Sequence, residues 1–91
     1  MRAAKVDKNQ AEIVQALRRV GIRVLHLHRV GGGCPDLLAC HRGRNILLEV
    51  KRPGEKPNKA QVEFHEMWGG EVYIVHSPEE AVEACINGYT N

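Results

Sequence analysis

The stretch Asp36-Leu37-Leu38-Ala39-Cys40-His41-Arg42-Gly43-Arg44-Asn45-Ile46-Leu47-Leu48-Glu49-Val50-Lys51 decides the fold. Two apolar runs, Asp36 to Cys40 and Ile46 to Lys51, surround Arg42-Gly43-Arg44-Asn45. That pattern predicts a β-hairpin. Side chains alternate across a strand, so Ile46, Leu48 and Val50 share one face and Leu47, Glu49 and Lys51 the other. The turn then sets the partners. A two-residue loop at Arg42-Gly43 puts His41 opposite Arg44 and Asp36 opposite Glu49. A loop at Gly43-Arg44 puts Asp36 opposite Lys51. Either gathers Asp36, Glu49 and Lys51 on one face, whereas a three-residue loop slips the register by one and scatters them.

A carboxylate and an ammonium on an otherwise apolar strand carry a desolvation cost that a purely structural strand has no reason to bear. Two neighbouring carboxylates repel, and one keeps its proton unless a cation lies between them. A hard divalent cation with oxygen ligands, Mg²⁺ above all, relieves the repulsion, and the Val50 backbone carbonyl offers a further oxygen. Lys51 beside such an ion suits the orientation of a water or the stabilisation of charge growing on a phosphate. These residues therefore point to metal-assisted phosphodiester hydrolysis. An ordinary cross-strand ion pair is the plainer alternative for Glu49-Val50-Lys51 taken alone.

Outward from the hairpin, Gly31-Gly32-Gly33 forms a loop with the freedom to place Pro35-Asp36. Before it, Ile22 to His28 reads as a strand. Asp7 caps a helix running to about Val20, with Ile13, Leu17 and Val20 as its buried stripe and Gly21 as its stop. After the hairpin, Pro53 to Pro57 is a loop. Asn58 caps a helix from about Lys59 to Trp68, ended by Gly69-Gly70. Glu71 to His76 reads as a strand. Ser77-Pro78-Glu79-Glu80 opens a last helix as a capping box and carries it to near Gly88. The order α-β-β-β-α-β-α predicts one α/β domain over residues 1–91. Its first three strands form an antiparallel meander and its fourth runs parallel to the third, in a mixed four-stranded sheet flanked by helices.

With 91 residues the chain has room for one small core. No apolar run approaches the ~20 residues that span a bilayer, and Met1 to Asp7 lacks the apolar stretch of a signal peptide, so a cytoplasmic location is expected. Three cysteines, Cys34, Cys40 and Cys85, imply no disulfide framework, and with His41 they lack the spacing of a zinc site. All 13 Lys and Arg fall within residues 1–59 beside five acids, a net +8, and residues 60–91 carry six acids and no Lys or Arg. Basic residues gathered in one part of the chain suit a polyanion-binding face. Arg29, Arg42, Arg44, Arg52, Lys56 and Lys59 flank the predicted site and are the expected nucleic-acid backbone contacts, setting affinity and register rather than sequence choice. Few aromatics argue against a stacking platform for single strands.

Taken together, Gly33-Cys34-Pro35-Asp36-Leu37-Leu38, Leu47-Leu48-Glu49-Val50-Lys51, the helix containing Glu12, and Lys59-Ala60-Gln61 resemble the PD-(D/E)XK nuclease superfamily. More narrowly they resemble its stand-alone phage and bacterial VRR-NUC (virus-type replication-repair nuclease) domains, over nearly the whole chain. The resemblance implies a restriction-endonuclease-like core, Mg²⁺ or Mn²⁺ as cofactor, and DNA as substrate. It makes Asp36 and Glu49 metal ligands, Lys51 the catalytic lysine, Glu12 a helix carboxylate near the metal, and Gln61 the auxiliary polar residue. It also implies a homodimer acting on branched DNA such as Holliday junctions. Gln61 has a competing reading as the third residue of a capping box after Asn58. Glu12 has one as a solvated helix residue. His26 and His28 read as structural or DNA-adjacent, and Cys34 as a filler of loop space. The rival functions are a branched-DNA binding module without cleavage, a restriction-type nuclease with sequence preference, and a partner protein bearing an accidental motif.

Overall fold

Residues 8–88 are described in the computed structural model. Its elements, in chain order, are α1 (Lys8–Arg19), β1 (Arg23–His26), β2 (Leu37–His41), β3 (Arg44–Val50), α2 (Lys59–Met67), β4 (Glu71–Val75) and α3 (Pro78–Ile86). The sheet order is β1-β2-β3-β4. β1–β2 and β2–β3 are antiparallel and β3–β4 is parallel, across the α2 crossover. This is the mixed, helix-flanked sheet that the sequence predicts, and it is consistent with a restriction-endonuclease-like fold.

The hairpin turn is the two-residue Arg42-Gly43 loop, with His41 paired to Arg44. Arg42 has φ 52° and Gly43 φ 80°. Two consecutive positive φ values match the right-handed twist of the flanking strands, and glycine is the residue that takes such a φ without strain. The register runs on through Leu37↔Leu48, so the next pair outward is Asp36 with Glu49. One turn at the far end of the hairpin thus determines which side chains meet at the near end.

The core lies on one face of the sheet. Val24, Leu37, Ala39, Ile46, Leu48 and Val75 meet Ile13, Val14 and Leu17 of α1 and Ala81, Ala84 and Cys85 of α3, all buried. Val20 departs from the expected stripe and is 52% exposed. The helix stops at Arg19, Gly21 turns the chain at φ 87°, and Ile22 enters the core in its place. The expected cap Asp7 lies outside the described residues. α2 contributes no buried residue and lies on the other face, beside Glu49. Among the described residues no helix is long and apolar enough to cross a membrane.

Two termini depart in detail from the sequence reading. Ser77 Oγ accepts from the Glu80 N–H at 3.1 Å, as a cap should, but the Glu80 carboxylate reaches past Ser77 to the His76 N–H at 2.8 Å. The reciprocal half of the expected box is therefore made one residue earlier. β1 ends at His26. His28 lies beyond the strand, so alternation does not put the two histidines on one face, and their rings meet edge to face at 5.8 Å.

Candidate active site

Asp36 stands just before β2 and is fastened by its backbone and its side chain. Its carbonyl accepts from the Leu27 N–H at 2.7 Å, which carries the β1–β2 ladder one step past the strands. Its Oδ2 accepts from the Val50 N–H at 2.8 Å. Pro35 before it is fully buried. The carboxylate is thus held against the end of β3 from two directions, on the face where Glu49 projects.

Glu49 is 1% exposed, and Lys51, just past the strand, 9%. Lys51 Nζ lies 3.6 Å from Glu49 Oε2 and 4.0 Å from Glu55 Oε2. Burial and then the neighbouring Asp36 carboxylate push the Glu49 carboxyl up to about 8, against the pull of the Lys51 ammonium. A group so raised is a carboxylate in want of a positive charge. Its Oε1 is buried with no hydrogen-bond partner. A desolvated carboxylate with one free oxygen, beside a second carboxylate, is a donor set that fits a hard divalent cation.

Gln61 makes the capping box and also touches Glu49. Its Oε1 accepts from the Asn58 N–H at 2.9 Å while Asn58 Oδ1 accepts from the Gln61 N–H at 2.9 Å, a complete capping box. Its Nε2 donates to Glu49 Oε2 at 3.1 Å. The amide has a donor end and an acceptor end, so one side chain starts the helix and steadies the carboxylate. The glycine loop locates that helix start. Gly33 has φ 82°, and a Cβ there would run into the Ala60 carbonyl.

Sequence reasoning passed over His65. One turn after Gln61 on α2, its Nε2 faces Glu49 Oε1 at 3.8 Å, and it is buried with no hydrogen-bond partner. Burial, and then Lys51, lower its pKa. The signal was present, because residues four apart on a helix share a face. Once Gln61 is set against Glu49, position 65 follows.

Other expected residues fall elsewhere. Glu12 is exposed on α1, off the Gln10, Ile13, Val14, Leu17 stripe. The α1 side chains that reach this end of the sheet are Asn9, with Nδ2 3.5 Å from the Lys51 carbonyl, and Gln10, with Nε2 3.3 Å from His26 Nδ1. Arg44 starts β3 at the opposite end from Glu49. Its guanidinium makes a two-pronged contact with Glu71 and donates to the Cys85 carbonyl at 2.8 Å, closing the C-terminal end of α3. Arg44 therefore serves as a structural cation here, its charge matched and its donors taken. Arg42 sits on the same distant turn. Arg29, Arg52, Lys56 and Lys59 are exposed around the loops and helix start next to the site. Cys34 fits its filler role, since burial and then Glu49 and Asp36 push its thiol up, away from the thiolate. Among the described residues no three or more His, Cys, Asp or Glu side chains are arranged to hold a metal ion. The cation-binding candidates are thus Asp36 and Glu49, with the Val50 carbonyl.

No family model matches the sequence, and no curated protein matches it. Among solved structures, one described as a "VRR_NUC domain" is similar over 90% of this chain and 95% of its own, with a TM-score of 0.69 and 27% identity. The common fold, the matching span and the level of identity together support a VRR-NUC domain as the family of this chain.

Proposed function

We propose that the chain is a nuclease, a divalent-metal-dependent endonuclease that hydrolyses DNA phosphodiester bonds, with Mg²⁺ as cofactor and Mn²⁺ able to substitute. The observation that carries this reading is the buried Glu49 carboxylate, held between Asp36 and Lys51 with one oxygen unpartnered. Asp36 and Glu49, with the Val50 carbonyl, would hold the ion. When bound, it would supply Lewis acidity towards a phosphate oxygen and make nearby water more acidic. Lys51, kept in place by Glu49 and Glu55, directs its ammonium at charge growing on the phosphate and orients the attacking water. Gln61 keeps Glu49 from turning away. Arg29, Arg52, Lys56 and Lys59 meet backbone phosphates around the cut.

The same reading extends to branched DNA such as Holliday junctions, cut by a homodimer that presents two sites to two strands. Support for the dimer comes from apolar surface on α2. Met67 is 82% and Trp68 48% exposed, and Trp68 stacks on Phe64 with ring centroids 5.1 Å apart. Labelled junction, flap, nicked and linear duplex DNAs incubated with the protein in Mg²⁺ or Mn²⁺ test the proposal. The expected outcome is cleavage of the junction in preference to linear duplex. Sequence-dependent cutting of linear duplex would select a restriction-type enzyme. A metal-independent mobility shift without cleavage would select a binding module.

A further inference from the structure

The two oxygens of Glu49 are treated differently. Oε2 receives the Gln61 amide at 3.1 Å and has the Lys51 ammonium at 3.6 Å. Oε1 is buried and receives nothing. Opposite it, at 3.8 Å, stands His65 Nε2, also buried and also without a partner. Two unpaired polar atoms facing each other in a dry site are costly, because each has lost water without replacing it. At 3.8 Å the gap is more than about half an ångström beyond a hydrogen bond, a distance that a side-chain rotation can close. The Nδ1–H tautomer would leave a lone pair facing a carboxylate. The Nε2–H tautomer turns the same contact into a charge-assisted hydrogen bond.

Gln61 and His65 are four residues apart and so project from one face of α2. We propose that His65 is a positioning residue, which donates its Nε2–H to Glu49 Oε1 so that α2 grips the carboxylate by both oxygens. The inference rests on the reading of Glu49 as a metal ligand and adds to it how that ligand is aimed. Each carboxylate oxygen has two lone pairs, so one donor on each still leaves lone pairs for a cation. The grip limits the orientations that Glu49 can take beside Asp36. α2 has no buried residue of its own, so the contacts of Gln61 and His65 with Glu49 also join it to the sheet.

The test is Mn²⁺ binding by calorimetry on the whole protein, comparing wild type, Glu49→Gln, His65→Phe and His65→Gln, with melting temperatures recorded alongside. Phenylalanine keeps the ring and removes the donor, whereas glutamine returns an N–H near the position of Nε2. His65→Phe is expected to weaken Mn²⁺ binding about 10–100-fold, the usual effect of losing a hydrogen bond behind a metal ligand, and His65→Gln to recover most of it. Equal binding by wild type and both variants overturns the inference, as does equal loss in both. If wild type binds no Mn²⁺, the metal-dependent reading itself fails. If wild type binds and Glu49→Gln does not, that reading stands whatever His65 does. Should His65→Phe fail to fold, nitrogen-15 spectra of the wild-type imidazoles decide, recorded with Mg²⁺ present so that Glu49 is a carboxylate. The Nε2–H tautomer at His65 is expected, and Nδ1–H contradicts the proposal.

Discussion

At the residue scale, Glu49 is what makes this strand unsuited to a merely structural part. Its carboxyl titrates near pH 8 in the folded chain against an ordinary 4.5. Below about pH 4.5 it is protonated whether the chain is folded or not, and it imposes no penalty. Between 4.5 and 8 the unfolded chain releases the proton that the folded chain keeps, so this group lowers stability as pH rises, and the effect is complete above 8. Lowering of the His65 pKa works in the opposite sense near neutrality, so the informative quantity is the difference between wild type and Glu49→Gln. With chelator present, Glu49→Gln is expected to melt above wild type at pH 8 and to lose most of that advantage at pH 5. A gain of about 1 kcal/mol would appear as ~4–8 °C in a domain of this size. Divalent cation should raise wild type at pH 8 and leave Glu49→Gln unmoved. An equal pH slope in the two proteins would mean that Glu49 is not held up by burial and Asp36.

Among the elements, α2 depends most on its ends and its polar face. None of its residues is fully buried, so its position rests on the Asn58–Gln61 box, on Ala60 against Gly33, and on Gln61 and His65 at Glu49. Asn58→Ala should cost about 0.5–2 kcal/mol locally. Amide exchange in α2 is expected to quicken while the melting temperature falls little, and cleavage should drop with the loosened Gln61. Faster exchange with unchanged cleavage would separate α2 from the site. The same helix shows where the sequence was readable. Capping residues and the alternation around Glu49 rest on local rules, and the structure follows them in the hairpin parity, the sheet order and the Gln61 box. The pairing of Arg44 was not legible, because its partner, Glu71, comes from β4 and its carbonyl acceptors from α3, a long-range meeting that no local pattern signals. Val20 fell outside the core because Gly21 broke the helical period one residue sooner. His65 was missed for a different reason: its meaning depends on Gln61 reaching Glu49, which the capping box alone does not require.

Over the whole molecule, the core and the chemistry occupy opposite faces of one sheet. α1 and α3 cover the apolar face, and the other face carries the buried end of β3 beside the glycine loop and α2. That division lets a small domain keep Asp36, Glu49 and Lys51 together without placing them in its core. Arg29, Arg52, Lys56 and Lys59 stay exposed near the site, while Arg44 is paired with Glu71 at the opposite end of β3. The most direct test of the central claim, that these three residues form a metal-dependent nuclease site, is single-turnover cleavage of a labelled four-way junction in Mg²⁺ by wild type and Lys51→Ala. Their melting curves should be matched. Wild type is expected to cut and to stop when the metal is chelated. Lys51→Ala is expected to lose cleavage by at least about 100-fold, of the order seen when one stabiliser of transition-state charge is removed. Cleavage by Lys51→Ala at the wild-type rate would contradict the account.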